Sequence, residues 1–421
     1  MSAPAPLPHM TVVIPTRERA ETLPYALQTV IDQDYDNLTI IVSDNCSNDG
    51  TADVVASMRD PRIRYVRTPA RVSMSRNWEF GLSAVEDGFV TFIGDDDGLM
   101  PDAVRDAAAV LTAERVPAMV WSKAQYTWPS HPEPQHRNKL IVPLGNALVR
   151  CNARRVARDC ARYWTAYYVA PCLYNSFVAV PAVQRVRQKS GAFFHSVTPD
   201  VYSGLAIASA IDEYVHLSRP FSINGASGRS NGASAHAYLR DTSANTEMAR
   251  FVQEADLPLH PLIPEMVPGS VITLVLEAML QANDYCYDGT LPIDLHRSIY
   301  KVIQEVQRME DARYDSVVAA MQRVFGQGEH RGVLQAALRK YPHRPASRPP
   351  ALPAGLSLNA ALTLQTAPLG ITNVHEAVRF AGNLLGPFTM PTRRGRYRSS
   401  AKYLSRGLHM VRARLAPSVW D

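Results

Sequence analysis

The sequence predicts an α/β protein, a mainly parallel sheet flanked by helices and followed by a helical C-terminal region. Two observations carry this. Between Thr11 and Ser122, short β-branched apolar runs alternate with stretches of helical period, the pattern that builds a parallel sheet covered by helices. After residue 240 the strand-like runs give way to helical patterns.

The first strand is read in "TVVIP" (11–15), apolar almost throughout, as a strand buried on both faces must be. A helix follows the turn residues that begin at Thr16: Leu23, Leu27, Val30 and Ile31 fall at i, i+4, i+7 and i+8, on one face. The next strands are "LTIIVSD" (38–44), "IRYVR" (63–67), "FVTFIGD" (89–95) and "AMVWS" (118–122), with helices between them. These elements belong to a first unit expected over 9–240. The runs "NTEMARFVQEA", "GSVITLVLEAMLQAN", "IDLHRSIYKVIQEVQRM" and "YDSVVAAMQRVF" predict an all-helical accessory region over 241–341. "PHRPASRPPALPAG" (342–355) reads as a linker, because proline stiffens a chain and breaks helix. A basic tail over 356–421 is expected to follow.

With 421 residues, 46% of them hydrophobic and 20% charged, the chain can bury a large core in more than one unit. The five cysteines (Cys46, Cys151, Cys160, Cys172, Cys286) are odd in number and lack CxxC spacing, which argues against a disulfide framework and a zinc site. "MSAPAPLPHM" is not a secretory signal, and "SVITLVLEAML" is too short to span a bilayer and contains Glu277. The expected location is the cytoplasm. Residues 376–421 hold nine Lys or Arg against two acids, more than the whole excess of +5, so the rest of the chain is slightly acidic and nucleic acid is not an expected partner. In that tail Leu404, Leu408, Val411 and Leu415 share a helical face, with Lys402 and Arg406 opposite, Arg412 and Arg414 on the flanks and Trp420 beyond. Such a helix suits peripheral contact with the inner face of an anionic membrane, or packing onto the accessory region.

Polar clusters follow three of the strands: "PTRERAE", "SDNCSNDGT" and "GDDDG". In a parallel sheet the carboxyl ends of the strands converge on one ligand crevice. Neither GxGxxG nor GxxxxGK[ST] follows any strand, which removes the main support for a dinucleotide or P-loop site. Three adjacent acids, Asp95, Asp96 and Asp97, instead suit a divalent cation that in turn holds a diphosphate. They also suit the start of a helix with Pro101 in its first turn, although three acids exceed what a helix end needs.

"VVIPTRERAETLPYALQTVIDQDYDNLTIIVSDNCSNDGT" and "RVSMSRNWEFGLSAVEDGFVTFIGDDDGLMPDAV" resemble the N-terminal half of family 2 glycosyltransferases, which have the GT-A fold, closely over roughly residues 9 to 125 and more weakly to about 240. The resemblance implies that Pro15, Thr16 and Arg17 form a nucleotide-contact loop, that Asp44 accepts a hydrogen bond from the donor base, and that Arg71 and Arg76 contact the nucleotide sugar. An ionised carboxylate satisfies the imide N–H of a uracil or thymine base, and a guanidinium fork suits a diphosphate. Asp49 reads better as a cap.

The family's metal motif is D-x-D-like, usually DxDD. Here Gly94 replaces its first acid, leaving Asp96 and Asp97 as the matching residues, Asp95 as an additional donor-site acid, and Asp97 as the favoured direct ligand of Mn²⁺ or Mg²⁺. The catalytic base implied for the acceptor hydroxyl is Asp200, in "FFHSVTPDVYSGLAIA", which also suits an N-terminal helical position. His236 in "NGASGRSNGASAHAY", and more weakly His195, are candidate additional metal ligands.

The function so implied is transfer of a sugar, from a UDP-sugar by preference, to a glycan or lipid-linked acceptor hydroxyl, with inversion by single displacement. A nucleotidyltransferase acting on sugar phosphates is the first alternative, but "IPTRERAE" lacks the basic Gly-rich signature it would need. An inactive glycan-binding homologue is the second, weighed against acids and arginines that are all present together.

Overall fold

The computed structural model describes residues 7–345 except 165–166, 231–246, 266 and 268–269, and then 354–356, 360–391 and 394–396. Strands β1 (Met10–Thr16), β2 (Leu38–Asp44), β3 (Ile63–Arg67) and β4 (Phe89–Phe92) lie in the order β3-β2-β1-β4, all parallel. Successive side chains leave opposite faces of a strand, so Val12 and Ile14 of β1 enter one core while Val13 enters another. The first core is closed by α1 (Leu23–Ile31), whose Leu23, Leu27 and Val30 are buried and whose Ile31 is partly so. After α2 (Thr51–Ser57), α3 (Met74–Ser83) closes the second core with Trp78 and Leu82. Trp78 stacks on Phe92, ring centroids 4.7 Å apart.

Beyond β4 the sheet becomes mixed. After β5 (Gly98–Leu99) and α4 (Ala103–Glu114), β6 (Ala118–Thr127) runs in the sense of β4, but β9 (Ser176–Ala179) lies between them, antiparallel to both. Further strands are β7 (Lys139–Pro143), β8 (Leu148–Asn152) and the long β10 (Glu213–Ala226), which pairs in parallel with β6 and antiparallel with β5 and β8. Three helices complete this part: α5 (Ala153–Tyr163), α6 (Val180–Ser190) and α7 (Pro199–Ala210).

The expected accessory region is helical, with helices Val271–Tyr287, Leu295–Val306, Asp311–Phe325 and Arg331–Lys340. It shares a core with the sheet unit. In helix Val271–Tyr287, Ala278, Met279 and Ala282 pack among α7 residues, while Leu276 and Leu280 face Ile299, Val302 and Ile303. Its exposed N–H groups meet the Glu305 carboxylate, which accepts from Val271 N at 3.1 Å and from Ser270 Oγ at 2.5 Å. Among the described residues no helix is long and apolar enough to cross a membrane.

The expected tail is corrected over much of its length. After β11 (Gly355–Leu356), β12 (Ala361–Gln365) joins the main sheet antiparallel to β7. Helix Val374–Leu385 then packs Val374, Val378 and Ala381 into the first core. A Cβ on Gly98 would stand 2.7 Å from Val378 Cγ2, so this helix lies directly behind the acidic loop. Sequence periodicity missed the strand because it is short. The amphipathic segment around Leu404 to Leu415 lies outside the described residues.

Candidate functional site

The three acids occupy the turn between β4 and β5. β10 crosses this turn so closely that a Cβ on Gly225 would stand 1.8 Å from the Asp96 carbonyl oxygen. That approach lets the Gly225 amide donate to Asp97 Oδ1 at 2.7 Å. Asp97 Oδ2 accepts from the Gly94 amide at 2.7 Å and from the Tyr174 hydroxyl. Asp97 is fully buried, and its carboxylate ties β4, β10 and Tyr174 together. Asp96 Oδ2 accepts from the Ser227 amide at 3.1 Å and Ser230 Oγ at 2.5 Å, while its carbonyl accepts from Trp128 Nε1 at 3.0 Å.

Burial and like charge act together on these acids. Asp95 is pushed up to about 6 by burial, against the pull of Arg19, with Asp96 pushing further. Asp97 is pushed up to about 7 by burial and by Asp96, against the hydrogen bonds it accepts. Arg19 Nη1 lies 3.8 Å from Asp95 Oδ1 and 4.0 Å from Asp96 Oδ2, so one guanidinium faces two carboxylates with a third behind them.

Pro15 and Thr16 end β1, and Arg17 follows them, at the same end of the sheet. Arg17 pairs with Glu254, Arg71 with Glu18, and Arg76 Nε lies 3.6 Å from Asp256 Oδ2. Arg76 stands in the first turn of α3, whose N-terminus is capped by Ser73 Oγ accepting from its amide. Asp44 ends β2 fully buried, accepting from the Ser47 amide at 3.0 Å and from Tyr65 Oη at 2.5 Å. It thereby shapes the loop after β2. Asp49 stands one residue before the N-cap of α2, which is Gly50; its carboxylate accepts from Thr51 N and Oγ1 and from Ala20 N at 2.9 Å. Burial pushes its pKa up, but these bonds leave it below the ordinary carboxylate value.

Asp200 lies in the first turn of α7. Burial raises its pKa, partly offset by the Val201 amide and by the charge of Lys123. Lys123 Nζ sits 5.1 Å from the Tyr174 ring centroid, and the Tyr174 phenol, raised by burial, feels Asp97, Asp96 and Asp200. Tyr174 is thus hydrogen-bonded to the acidic turn and within electrostatic reach of Asp200. His195 stacks on Tyr285 at 3.6 Å and 12°, its Nε2 3.2 Å from the Ala192 carbonyl. His236 lies outside the described residues. Among the described residues no three His, Cys, Asp or Glu side chains form a ready-made metal cage.

Residues 11–168 match the model of Glycosyl transferase family 2. Residues 11–168 thus form a segment similar to family 2 glycosyltransferases. Over 101 residues the chain is 36% identical to the GalNAc(5)-diNAcBac-PP-undecaprenol beta-1,3-glucosyltransferase of Campylobacter jejuni, covering 23% of this chain and 33% of that protein. Over 99 residues it is 27% identical to the succinoglycan biosynthesis protein ExoO of Rhizobium meliloti, covering 24% of this chain and 28% of that protein. The chain spans about a third of the length of the curated relatives it matches. S. aureus TarS 1–349 in complex with UDP-GlcNAc aligns at a TM-score of 0.42 and 14% identity, over 80% of this chain and 93% of that one.

The structure brings the end of β1 against the acidic turn, where Asp95 meets the Thr16 hydroxyl and the Arg17 amide. Asp97, favoured from the sequence as direct metal ligand, accepts N–H and O–H donors on both oxygens, Asp96 accepts two donors on Oδ2, and Asp95 and Asp96 both face Arg19. Sequence reasoning passed over Arg19, Lys123 and Tyr174. Arg19 was within reach as the third charged residue of "TRER"; Tyr174 and Lys123 lie in no motif and become visible only through the sheet.

Proposed function

We propose that this chain transfers a sugar from a nucleotide-diphosphate donor to an acceptor hydroxyl, with inversion at the anomeric carbon. The observation that carries the reading is the convergence, through Tyr174, of the acidic turn after β4 with Asp200 on α7. A donor-holding centre and a poised carboxylate within one crevice are what a single displacement requires. Asp200, its pKa raised by burial, is suited to take the proton of the acceptor hydroxyl.

The donor set fits Mn²⁺ or Mg²⁺. Its oxygens are hard, it is short of positive charge, and two carboxylates leave most of a coordination shell for diphosphate and water. Asp96 and Asp95 would hold the cation, with Asp97 fixing the turn. Bound there, it would stabilise the negative charge of the leaving nucleoside diphosphate. Arg17, Arg71 and Arg76 contribute guanidinium contacts to the diphosphate once their carboxylate partners give way. The base rests against the loop that Asp44 holds.

UDP is the favoured nucleotide. The names of the relatives, one acting on an undecaprenol-linked glycan and one in succinoglycan biosynthesis, support a glycan or lipid-linked glycan as acceptor. A calorimetric screen of UDP-, dTDP-, GDP- and CDP-sugars with and without Mn²⁺ tests the donor half. Anomeric analysis of the product tests the displacement, and retention of configuration would refute it.

A further inference from the structure

Lys123 is a charged group beside Tyr174 to which the glycosyl-transfer reading gives no task. In β6, Met119 and Trp121 point into the first core, and so do Ala124 and Tyr126. The alternation of side chains therefore slips by one between Trp121 and Ala124, where the pairing of β10 with β6 also shifts register. Irregularities of this kind re-aim a side chain, at a cost in ladder regularity. Here the result is that Lys123 leaves the apolar core and stands over the Tyr174 ring, its charge felt by Asp200.

The position is half-buried, and the ammonium has three N–H donors. Among the described residues none of them meets a hydrogen-bond acceptor, and Lys123 makes no ion pair within 4.0 Å. An aromatic face replaces little of the hydration such a charge gives up. Around it stand Tyr174, which holds Asp97, and Asp200 and Cys172, whose titration its charge lowers. An unsatisfied cation between a diphosphate-holding turn and an acceptor-activating carboxylate lacks one thing, an anionic oxygen from the substrate.

We propose that Lys123 is an anion-binding residue of the active site, donating to a phosphate oxygen of bound substrate between the acidic turn and Asp200. The inference rests on the glycosyl-transfer reading, and its chemistry admits two sources, the donor diphosphate or a phosphate carried by the acceptor. A hydrogen bond to a charged group is worth roughly 1.5–3 kcal/mol, so its loss weakens binding by about 10- to 150-fold.

The test measures binding of UDP with Mn²⁺, and of farnesyl phosphate against farnesol, to the full chain by calorimetry, for wild type, Lys123→Gln and Lys123→Arg. A tenfold or greater loss of UDP affinity in Lys123→Gln, largely restored in Lys123→Arg, assigns the contact to the donor. An unchanged UDP affinity with a tenfold loss confined to farnesyl phosphate assigns it to the acceptor. If Lys123→Gln binds both within twofold of wild type and only the pH profile of turnover moves, Lys123 acts on Asp200 alone and the proposal is overturned. A wild-type protein that binds UDP, dTDP, GDP and CDP no better than buffer would instead sink the donor reading, leaving the farnesyl phosphate comparison to decide Lys123. Melting temperatures of both variants within a few degrees of wild type ensure that the affinities report the contact.

Discussion

Replacing Gly225 by Ala tests whether the acidic turn owes its shape to β10. The new methyl carbon would sit 1.8 Å from the Asp96 carbonyl oxygen and 2.9 Å from Trp128 Nε1, whereas ordinary contact begins near 3.4 Å. Neither strand nor turn is a flexible side-chain end, so the backbones must part by more than 1 Å. That parting strains two hydrogen bonds, from Gly225 N to Asp97 Oδ1 at 2.7 Å and from Trp128 Nε1 to the Asp96 carbonyl at 3.0 Å. Overpacking costs about 1–3 kcal/mol, and a lost bond to a buried charged group roughly 1.5–3 kcal/mol, so the variant should be destabilised by about 3–6 kcal/mol. This is a large part of the ~5–15 kcal/mol that holds a typical domain together. The assay is urea unfolding, read as a fall in midpoint at unchanged slope, paired with calorimetry of UDP and Mn²⁺ below the transition. Nucleotide affinity should fall along with stability. A variant with wild-type midpoint and wild-type UDP affinity would show that the turn holds its shape without β10, and would refute the account of Asp97 as its tie.

Asp200→Asn should lower turnover by roughly 10²- to 10⁴-fold with donor affinity nearly unchanged, by steady-state kinetics and UDP calorimetry; a loss in affinity alone would make Asp200 a binding residue. Asp95 and Asp97 have folded pKa values raised to about 6 and about 7, so they add stability below the ordinary carboxylate range that is lost as pH rises through those values. The cation-free protein should therefore melt at lower temperature at pH 7.5 than at pH 5, and Mn²⁺ with UDP should remove most of the difference; a melting temperature that rises over that interval contradicts the assignment. Glu254→Gln releases Arg17 from its partly exposed ion pair and should tighten UDP binding by roughly two- to fivefold, which an equal or weaker affinity would disprove.

What the sequence made legible follows from local physics. Strands β1 to β4 and the buried face of α1 were readable because Val12, Ile14, Leu23 and Leu27 obey short periods that packing alone can enforce. The acids after β4 were readable because three like charges beside an apolar run need a reason. Long-range pairing was not readable. β9 inserts antiparallel between β4 and β6, and Gly225 meets Asp97 across more than a hundred residues of chain, so no window of sequence contains both partners. The same holds for Arg17 and Glu254. Which donors meet the oxygens of Asp97 is likewise decided far along the chain, by Tyr174 and β10.

β7 waits for β12 across more than two hundred residues of chain, and helix Val374–Leu385 reaches the back of the acidic turn later still. At a synthesis rate of about 5–20 residues per second, roughly 10 to 45 s pass on the ribosome between the appearance of the two strands. Throughout that interval the outer edge of β7 offers unpaired N–H and C=O groups, and the apolar surface of α1 that Val374 and Val378 will cover stays wet, a combination that invites pairing with other nascent chains. The order of synthesis thus delays a fully supported Gly98 until helix Val374–Leu385 has been made, so premature release near residue 340 should yield a chain with Asp95, Asp96, Asp97 and Arg17 in place and an unbraced acidic turn.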